Sequence, residues 1–538
     1  MSINADVEHW AVNKSALHHA GGVVAAQHHL AAKAGGDVLA RGGNAVDAAI
    51  GAALALGVVE PWMCGLGGSG AMTIWLQAEG RAVTLDFQGV LAAATRTEDY
   101  PPNPDAPITL MGFPTVRDNA NVEGYRSITV PGAAAGFDHA VTRYGTMSLA
   151  DIAAPAVVMA RTGIASDWFT CLQSSLMMAV LRHDDVSSKI YLPDGAPILP
   201  EGRLFIPGLA DTLQAYADGG ADAFYRGDLA ARIVADLQAG GSTITGEDLA
   251  AYTVTEEAAR SAEHRGAVVH TPGVTSGGER MRDALAYIAE HMPLNGSGPS
   301  HVDAPETWTT YADALDAAWR KHNIRIGRVT EQGSCTSNLS AVDRDGNMVA
   351  LTHTLLNRFG SGVTLPKTGL LMNNAVSYFD PRPSFPTTME GGKRINASNI
   401  CPMVASRDGK GLFALGASGG NHIMPAVTQV AAQMLDFGST LEEAMNHARI
   451  DASDRGSTRV DPALGAKVVE KLQERGPVEL AQRLTFPKLY ACVSGVARDD
   501  DGGWCGLNDP SQPVGGSAGP ERLEWDEDAT TATASVRA

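Results

Sequence analysis

Residues 45–56, AVDAAIGAALAL, are apolar on almost every face of the helix that they predict. Asn44 directly precedes them as a candidate N-cap, and the Gly42-Gly43 pair ends an earlier helix predicted over residues 30–41. A helix without a polar face has to be covered on most sides by other elements. The sequence therefore predicts a layered fold, and a large layered fold can use all 538 residues in one core.

Composition and charge exclude several classes of protein. Hydrophobic residues make up 44% of the chain and charged residues 19%, which is typical of a globular, well-buried protein. The formal net charge is −19 and Lys and Arg form no cluster, so we expect no nucleic-acid partner. No apolar run reaches the length of a membrane span, and the first residues lack a secretory pattern. Six scattered cysteines without a CxxC pair favour reduced thiols in a cytoplasmic protein over disulfides or a zinc site.

Further helices are predicted over residues 149–161, with Ser148 as the N-cap, and over residues 308–322. Residues 295–306, NGSGPSHVDAPE, have the composition of a loop or linker. The tail from about residue 520 to 538 is polar and acidic, and we expect it to fray.

A hairpin is predicted in the second half of the chain. The runs TSNLSAV and MVALTHTL flank DRDGN, which contains the strong turn pair Asp345-Gly346. If that pair forms a two-residue loop, Val342 faces Val349, and Thr354 lies beside Ser337 and Thr336. The register can shift by one residue, because the turn has more than one reading. In either register a second threonine hydroxyl lies close to Thr336.

Thr336 is a candidate nucleophile on chemical grounds. A threonine hydroxyl needs a base within hydrogen-bond reach, and the residue's own α-amine, with an ordinary pKa of about 7.7–8.0, is one such base. That amine exists only after the peptide bond between Cys335 and Thr336 is cut. The Thr336 hydroxyl could make the cut by attacking the Cys335 carbonyl, followed by hydrolysis of the resulting ester. Thr354 would then orient the Thr336 hydroxyl or hold its amine.

An oxyanion in such a reaction needs preorganised donors. Residues 411–435 predict a strand, a glycine turn and a helix, so the N–H groups of Gly419 and Gly420 would lie at a helix N-terminus that favours an anion. The same turn, GASGG, also fits the G-x-S-x-G elbow of α/β-hydrolases with Ser418 as nucleophile. That class needs an acid and then a His after the Ser, whereas His422 follows too closely and His447 leaves little chain for the acid.

The chain resembles the γ-glutamyltranspeptidase family of N-terminal nucleophile hydrolases. The matching stretches follow the family order over almost the whole chain: GGNAVDAAIGAALALGVVEP, VPGAAAGF, YGTMSLADIAAPAVVMARTG, FYRGDLAARIVADL, ITGEDLAAY, TSGG, SAVDRDGNMVALTHTL, FGSG, GLLMNNAVSYF, LGASGGNHI and CGLNDPSQPVGGSAG. The resemblance implies a four-layer αββα sandwich of the α/β class. It also implies one precursor cut into a large subunit, residues 1–335, and a small subunit, residues 336–538, which together form one domain. By position, Thr336 matches the nucleophile, Thr354 its supporting threonine, and Gly419 and Gly420 the oxyanion hole.

The substrate positions of the family are altered in this chain. The resemblance places Gln88 where the family has its carboxylate-binding Arg, and Ser398 and Asn399 where it has a pair of serines. Three further matched positions, which carry Asn, Gln and Asp in the family, are Leu356, Ala375 and Tyr378. The bidentate cation and the anionic partner of a γ-glutamyl group are therefore missing.

Two residues are candidate replacements in the substrate pocket. Strand period would place Arg358 on the same face as Thr354 and Leu356, and His422 directly follows the oxyanion turn. Members of the family with altered pockets act on other small amides, including acyl side chains of β-lactams and oxamate. The apolar residues at the altered positions favour an acyl group less polar than glutamate.

The sequence therefore predicts an autoprocessing amidohydrolase that acts on a small-molecule amide, with the two cleaved subunits staying associated. We expect no metal and no organic cofactor, and we interpret His18-His19 and His28-His29 as structural or exposed. Three points stay open: a true γ-glutamyl hydrolase or transpeptidase acting on glutathione-like substrates, a non-catalytic homologue that is never cut, and a homo-oligomer of the cleaved heterodimers.

Overall fold

The computed structural model describes residues 12–109, 112–273, 275–294, 301–326, 336–453 and 456–525. Its helices are α1 (His29–Ala40), α2 (Ala45–Val59), α3 (Ala133–Tyr144), α4 (Leu149–Thr162), α5 (Trp168–Leu176), α6 (Met178–Leu181), α7 (Asp185–Tyr191), α8 (Leu209–Tyr225), α9 (Asp228–Ala239), α10 (Gly246–Ala250), α11 (Gly278–His291), α12 (Pro305–Ile326), α13 (Ile423–Phe437), α14 (Leu441–Asn446) and α15 (Ala466–Arg475). Its strands are β1 (Leu17–His19), β2 (Gly22–Ala26), β3 (Ser69–Leu76), β4 (Arg81–Phe87), β5 (Ile164–Ala165), β6 (Arg203–Leu204), β7 (Thr255–Ala258), β8 (Arg260–His264), β9 (Ala267–Thr271), β10 (Ser337–Asp343), β11 (Met348–Thr354), β12 (Met403–Arg407), β13 (Lys410–Ser418), β14 (Ile450–Asp451), β15 (Thr458–Val460), β16 (Val478–Leu480), β17 (Cys492–Arg498), β18 (Trp504–Asn508) and β19 (Gly516–Ala518).

Two seven-stranded sheets form the centre of the molecule. Their strand orders are β19-β2-β10-β11-β3-β4-β7 and β1-β18-β17-β13-β12-β9-β8. All neighbouring strands within these two sheets run antiparallel. The strand β10 of the first sheet packs face to face on β13 and β17 of the second.

Helices cover the outer face of each sheet. The pair α1 and α2 packs on β2, β10 and β11, and the pair α11 and α13 packs on β8, β9, β13 and β17. The order of layers is therefore helix, sheet, sheet, helix, which confirms the predicted αββα sandwich. It also excludes the α/β-hydrolase alternative, because that class is built on a largely parallel sheet.

Helix α2 is buried as the sequence predicts. In α2 every residue except Gly57 is buried, and Asn44 Oδ1 accepts hydrogen bonds from Val46 N and Asp47 N at 2.9 and 3.1 Å. The helices α1 and α4 also match their predictions, and Ser148 Oγ caps α4 by accepting from Asp151 N at 3.1 Å. Helix α12 is longer at both ends than the predicted 308–322.

The hairpin register differs by one residue from the two-residue turn that we considered. Val342 pairs with Met348, not Val349, and Ser337 pairs with His353. The loop has three residues, because Gly346 takes a left-handed φ of +88° and Asp343 N donates to Asn347 O at 3.2 Å. The Asp343 carboxylate also accepts from Asp345 N and Asn347 N. Continuing this register by one pair places Thr354 directly opposite Thr336.

Strands from both sides of Thr336 contribute to both sheets. The first sheet combines β2, β3, β4 and β7 with β10, β11 and β19, and the second combines β1, β8 and β9 with β12, β13, β17 and β18. At the C-terminal end, Leu523 N and Trp525 Nε1 donate to the buried Asp37 carboxylate, so the expected fraying tail is fastened up to residue 525. Residues 526–538 lie outside the described residues. Within the described part of the chain, no helix is both long and apolar enough to cross a membrane.

Candidate active site

Thr336 lies immediately before β10 and is completely buried. Its hydroxyl Oγ1 has no hydrogen-bond partner among the described residues. On the same strand pair, Thr352 Oγ1 donates to Asn338 Oδ1 at 2.8 Å, so those two side chains share one face of the sheet. Because side chains alternate along a strand, Thr336 and Thr354 share that face two residues further on. The predicted cleavage partner Cys335 lies outside the described residues.

Thr354 ends β11 and is held in place by the backbone that follows it. Its Oγ1 accepts from Leu356 N at 2.8 Å, and Leu355 N donates to Met63 O at 2.8 Å. Leu356 has a left-handed φ of +81°, so the extended conformation stops there. Arg358 therefore does not share a strand face with Thr354 as predicted, because β11 ends at Thr354.

The glycine turn after β13 has a backbone conformation that favours glycine at two successive positions. Gly419 and Gly420 have φ values of +138° and +60°, and a Cβ added at Gly419 would lie 2.8 Å from the Cα of Ala491. A short 3-10 turn over Gly420–His422 leads into α13, as the strand, turn and helix prediction required. The two glycine N–H groups therefore lie just ahead of the helix N-terminus, where partial positive charge favours an anion.

A set of polar side chains links the start of β10 to this turn. Ser337 Oγ donates to Glu60 Oε2 at 3.1 Å, and Gln512 Nε2 donates to Glu60 Oε1 at 3.0 Å. Gln512 Nε2 also reaches Gln27 O at 3.1 Å, and Gln27 Nε2 donates to Ser418 Oγ. These four contacts bring the residue after Thr336 and the residue before Gly419 into one hydrogen-bonded group, which we call the Glu60 network.

Glu60 is the residue of this network with a strongly perturbed titration. Burial raises the pKa of its carboxyl to about 7, although Lys488 and the hydrogen bonds from Ser337 and Gln512 lower it. Sequence reasoning missed Glu60. The available signal was a carboxylate directly after a helix whose one other charged residue is Asp47, in its first turn.

A cleft of about 270 Å³ opens beside the glycine turn. It is lined by Ser418 and Gly419, by Glu60 and by both candidate replacement residues, Arg358 and His422. His422 Nδ1 pairs with the carboxylate of Asp451, and both side chains are buried. Arg358 and His422 therefore both lie at the glycine turn. Arg358 is placed there by the turn that follows β11, and not by a continuing strand.

The positions that match the family's γ-glutamyl contacts are filled by packed side chains. Leu356, Ala375 and Tyr378 are at most 2% exposed and belong to one hydrophobic cluster. Tyr378 Oη donates to Asn399 Oδ1 at 3.5 Å. No charged group from these three positions is available for an amino-acid head group.

The remaining two matched positions, Gln88 and Ser398, are also buried, and each accepts a hydrogen bond from another residue. Gln88 Oε1 accepts from Ser69 Oγ at 3.4 Å, and Ser69 is the β3 partner of Thr354. The backbone carbonyl of Ser398 accepts from the guanidinium of Arg280, which lies 3.7 Å from the centre of the Trp319 ring. Arg280 is a buried cation beside Ser398 that the sequence comparison did not reveal.

The fold also assembles one group of metal-type ligands that sequence spacing did not predict. Within the described residues, the ligand atoms of His18, Asp499 and Cys505 lie within 4.8 Å of one another, where His18 pairs with Cys505 across β1 and β18 and Asp499 follows β17. Burial and the neighbouring Asp499 raise the pKa of the Cys505 thiol, which works against the thiolate that a metal needs. The expectation of no metal stays a prediction.

Two facing antiparallel sheets between helical layers, with a buried threonine directly before a central strand and a glycine turn at the end of the facing strand β13, define the class of N-terminal nucleophile hydrolases. Comparisons with known proteins identify the family within that class. The model of the family described as gamma-glutamyltranspeptidase matches residues 31–328 and 317–519. The chain belongs to the γ-glutamyltranspeptidase family, and it is therefore an enzyme of the hydrolase and acyltransferase type.

Similar proteins include both glutathione hydrolases and acylases. The glutathione hydrolase proenzyme of Escherichia coli strain K12 is 28% identical over 544 residues, which cover 91% of this chain and 90% of that protein. The Acylase ACY 1 proenzyme of Pseudomonas sp. strain SE83 is 29% identical over 516 residues, covering 89% and 90%. The crystal structure of cephalosporin acylase from Bacillus halodurans matches with a TM-score of 0.82 and 25% identity, covering 96% of this chain and 99% of that one.

Proposed function

We propose that this chain is a precursor that cuts itself before Thr336 and then hydrolyses a small-molecule amide through an acyl-enzyme on Thr336. The observation that carries the proposal is the buried Thr336 hydroxyl directly before β10, which has no hydrogen-bond partner among the described residues and lies on the strand face that it shares with Thr354. The products of the cut are a large subunit of residues 1–335 and a small subunit of residues 336–538.

Processing begins with attack of Thr336 Oγ1 on the carbonyl carbon of Cys335. The Cys335–Thr336 C–N bond breaks, an ester to Thr336 Oγ1 forms, and the proton of the hydroxyl goes to the departing nitrogen. Water then hydrolyses the ester, which leaves a carboxylate on Cys335 and a free α-amine on Thr336. That amine is the base that the mature nucleophile needs.

Turnover uses the same two groups on a different carbonyl. The α-amine of Thr336 accepts the hydroxyl proton as Oγ1 attacks the substrate amide, and the N–H groups of Gly419 and Gly420 stabilise the oxyanion. The proton passes to the leaving amine, and water releases the acyl group from Thr336. An amine acceptor in place of water would give transfer. Thr354 positions the Thr336 hydroxyl or amine.

The packed γ-glutamyl positions support an acyl group less polar than glutamate. Leu356, Ala375 and Tyr378 offer no ion pair to an α-ammonium group, and Gln88 offers no guanidinium to an α-carboxylate. Arg358 and His422 are the substrate contacts that we propose instead. The second candidate, a γ-glutamyl hydrolase or transpeptidase of glutathione-like substrates, is supported by the names of several relatives and by the retained Ser398.

A denaturing gel of the purified protein tests the processing step. We expect two bands split near residue 335, and a single band in Thr336→Ala, whereas Thr336→Ser should still be processed. A single band in the unmodified protein would instead support a non-catalytic homologue. Ser418→Ala should retain activity, because Ser418 Oγ accepts a hydrogen bond from Gln27 and is not the proposed nucleophile.

Substrate choice is tested on the processed protein with p-nitroanilides. Simple acyl anilides should be hydrolysed faster than γ-glutamyl-p-nitroanilide. Fast and selective cleavage of the γ-glutamyl compound, with transfer to glycylglycine, would establish the second candidate in its place.

A further inference from the structure

The cleft beside the glycine turn has mainly apolar walls with two cations set into them. Trp62, Phe169 and Tyr490 are among its aromatic residues, and Arg358 and Lys488 are its cations. Such a composition suits a ligand with an apolar body and a single anionic group. Neither Lys488 nor the aromatic wall was among the residues that the sequence singled out.

Arg358 lacks an anionic partner in the part of the chain that the structure describes. Its side chain is half-buried, its Nε is buried, and no described group accepts a hydrogen bond from that Nε. Nor does any described carboxylate form an ion pair with it. Withdrawing an unpaired guanidinium from water costs free energy. A ligand that places an anion beside it offsets this desolvation cost, and that gain favours binding.

Lys488 lies on the same cleft with its ammonium only partly engaged. Its Nζ donates to Gln512 Oε1 and lies 4.9 Å from the centre of the Phe169 ring. An ammonium has three donors, and Gln512 is the one hydrogen-bond partner of Lys488 Nζ among the described residues, so two donors are open to a ligand. Glu60, the acid of the same cleft, is fully buried, and both its oxygens already accept from Ser337 and Gln512.

We infer that this cleft is a subsite for a carboxylate carried by the amide substrate, with Arg358 as the bidentate contact and Lys488 as the second cation. The inference rests on the proposed function, because Gly419 of the proposed oxyanion hole lines the same cleft. The position that matches the family's carboxylate-binding Arg carries Gln88 here, so Arg358 and Lys488 would supply the carboxylate contact from the cleft beside Gly419. The substrate class is an amide with an apolar body and one carboxylate.

The carboxylate could belong to the acyl part or to the leaving amine, and matched substrates separate these two sources. The first pair is glutaryl-p-nitroanilide against valeryl-p-nitroanilide, which differ by an acyl carboxylate. The second pair is the valeryl amide of 4-aminobenzoate against valeryl anilide, which differ by a carboxylate on the leaving amine. The processed protein should prefer the carboxylate in one pair by about tenfold or more in kcat/KM.

The variants Arg358→Gln and Lys488→Gln test the contact itself. Each should lower kcat/KM for the preferred carboxylate substrate, by about ten- to a hundredfold for Arg358→Gln, mainly through KM, and by clearly more than for its neutral partner. Arg358→Lys should recover part of the loss, because it keeps the charge without the fork. Lys410→Gln is the matched control: Lys410 is an exposed cation at the opposite end of β13 from Ser418, and both substrates should be unaffected.

The outcomes separate the inference from the proposed function. If the processed protein hydrolyses neutral amides and shows no carboxylate preference in either pair, the inference is wrong and the proposed function stands. If the variants slow the charged and neutral substrates equally while processing and melting temperature are unchanged, the inference is also wrong. If the protein is unprocessed and hydrolyses nothing, the proposed function itself has failed.

Discussion

Thr354 is the residue whose role depends most directly on the hairpin register. Replacing it by Val removes the hydroxyl opposite Thr336 and the acceptor of Leu356 N while keeping the shape of the side chain. We expect Thr354→Val to slow processing and to lower kcat by about tenfold, the worth of one positioning hydrogen bond. The measurements are the time course of band splitting on a gel and amide hydrolysis after processing is complete.

Thr352→Val is the control for the loss of a buried hydroxyl on the same strand face. It breaks the hydrogen bond to Asn338 and should cost about 1 kcal/mol of stability, yet leave kcat within about threefold. Equal losses of kcat in the two variants would show that Thr354 acts only through packing.

The buried Glu60 carboxyl makes stability depend on pH. Its pKa rises from 4.5 in the unfolded chain to about 7 in the folded one, because burial disfavours the anion. Below pH 4.5 both states are protonated and the group has no effect. Between pH 4.5 and 7 the unfolded chain loses the proton that the folded chain keeps, so stability falls as pH rises, by about 3 kcal/mol in total.

The test uses Thr336→Ala as the background, so that the chain stays in one piece. Adding Glu60→Gln removes the titration and preserves the size of the side chain. The melting temperature of the double variant minus that of Thr336→Ala should increase as pH is raised from 5 to 8. Parallel pH profiles of the two proteins would contradict a raised Glu60 pKa.

At the scale of elements, the turn between β13 and α13 requires glycine at position 419. Gly419→Ala would place a methyl group 2.8 Å from Ala491 at a φ of +138°. The turn must then shift, and with it the two N–H donors, so we expect amide hydrolysis to fall by about a hundredfold or more. The readout is kcat of processed protein, or the rate of processing if the variant is not cut.

Gly438→Ala is the matched control at the other end of the same helix. Gly438 follows α13 with a left-handed φ of +69°, and a Cβ there meets nothing within 4 Å. It should lose about 1 kcal/mol of stability from backbone strain while its kcat stays unchanged. A similar loss of kcat in both variants would argue that α13 as a whole, and not its first turn, supports catalysis.

At the scale of the whole molecule, the two sides of Thr336 cannot separate without breaking both sheets. In the first sheet β10 is paired with β2 on one side, and β11 is paired with β3 on the other. After cleavage, an affinity tag on residues 1–335 should therefore retain residues 336–538 in native buffer and release them only in denaturant. Recovery of the small subunit in the unbound fraction would contradict a shared core.

Local sequence patterns were sufficient to predict the elements whose conformation depends on neighbouring residues in the chain. The apolar segment of α2 and its Asn44 cap, the Ser148 cap of α4, and the strand, turn and helix around Gly419 depend on neighbours in sequence, and all formed as predicted. The predicted hairpin register was wrong by one residue, because the Asp343 side chain caps a three-residue loop. Such a side-chain contact competes with the preference of Asp345-Gly346 for a two-residue turn.

By itself, the sequence determined the layered architecture, the family and the position of the candidate nucleophile, because apolar periodicity, glycine turns and motif order are properties of consecutive residues. Only the tertiary structure decided which distant side chains meet in the cleft beside the glycine turn. Glu60, Arg358 and Lys488 come from segments far apart along the chain, and no spacing predicts that they share one cleft. The physical reason is that charge and burial in a site depend on which layers meet there, and that is settled only when the two sheets pack.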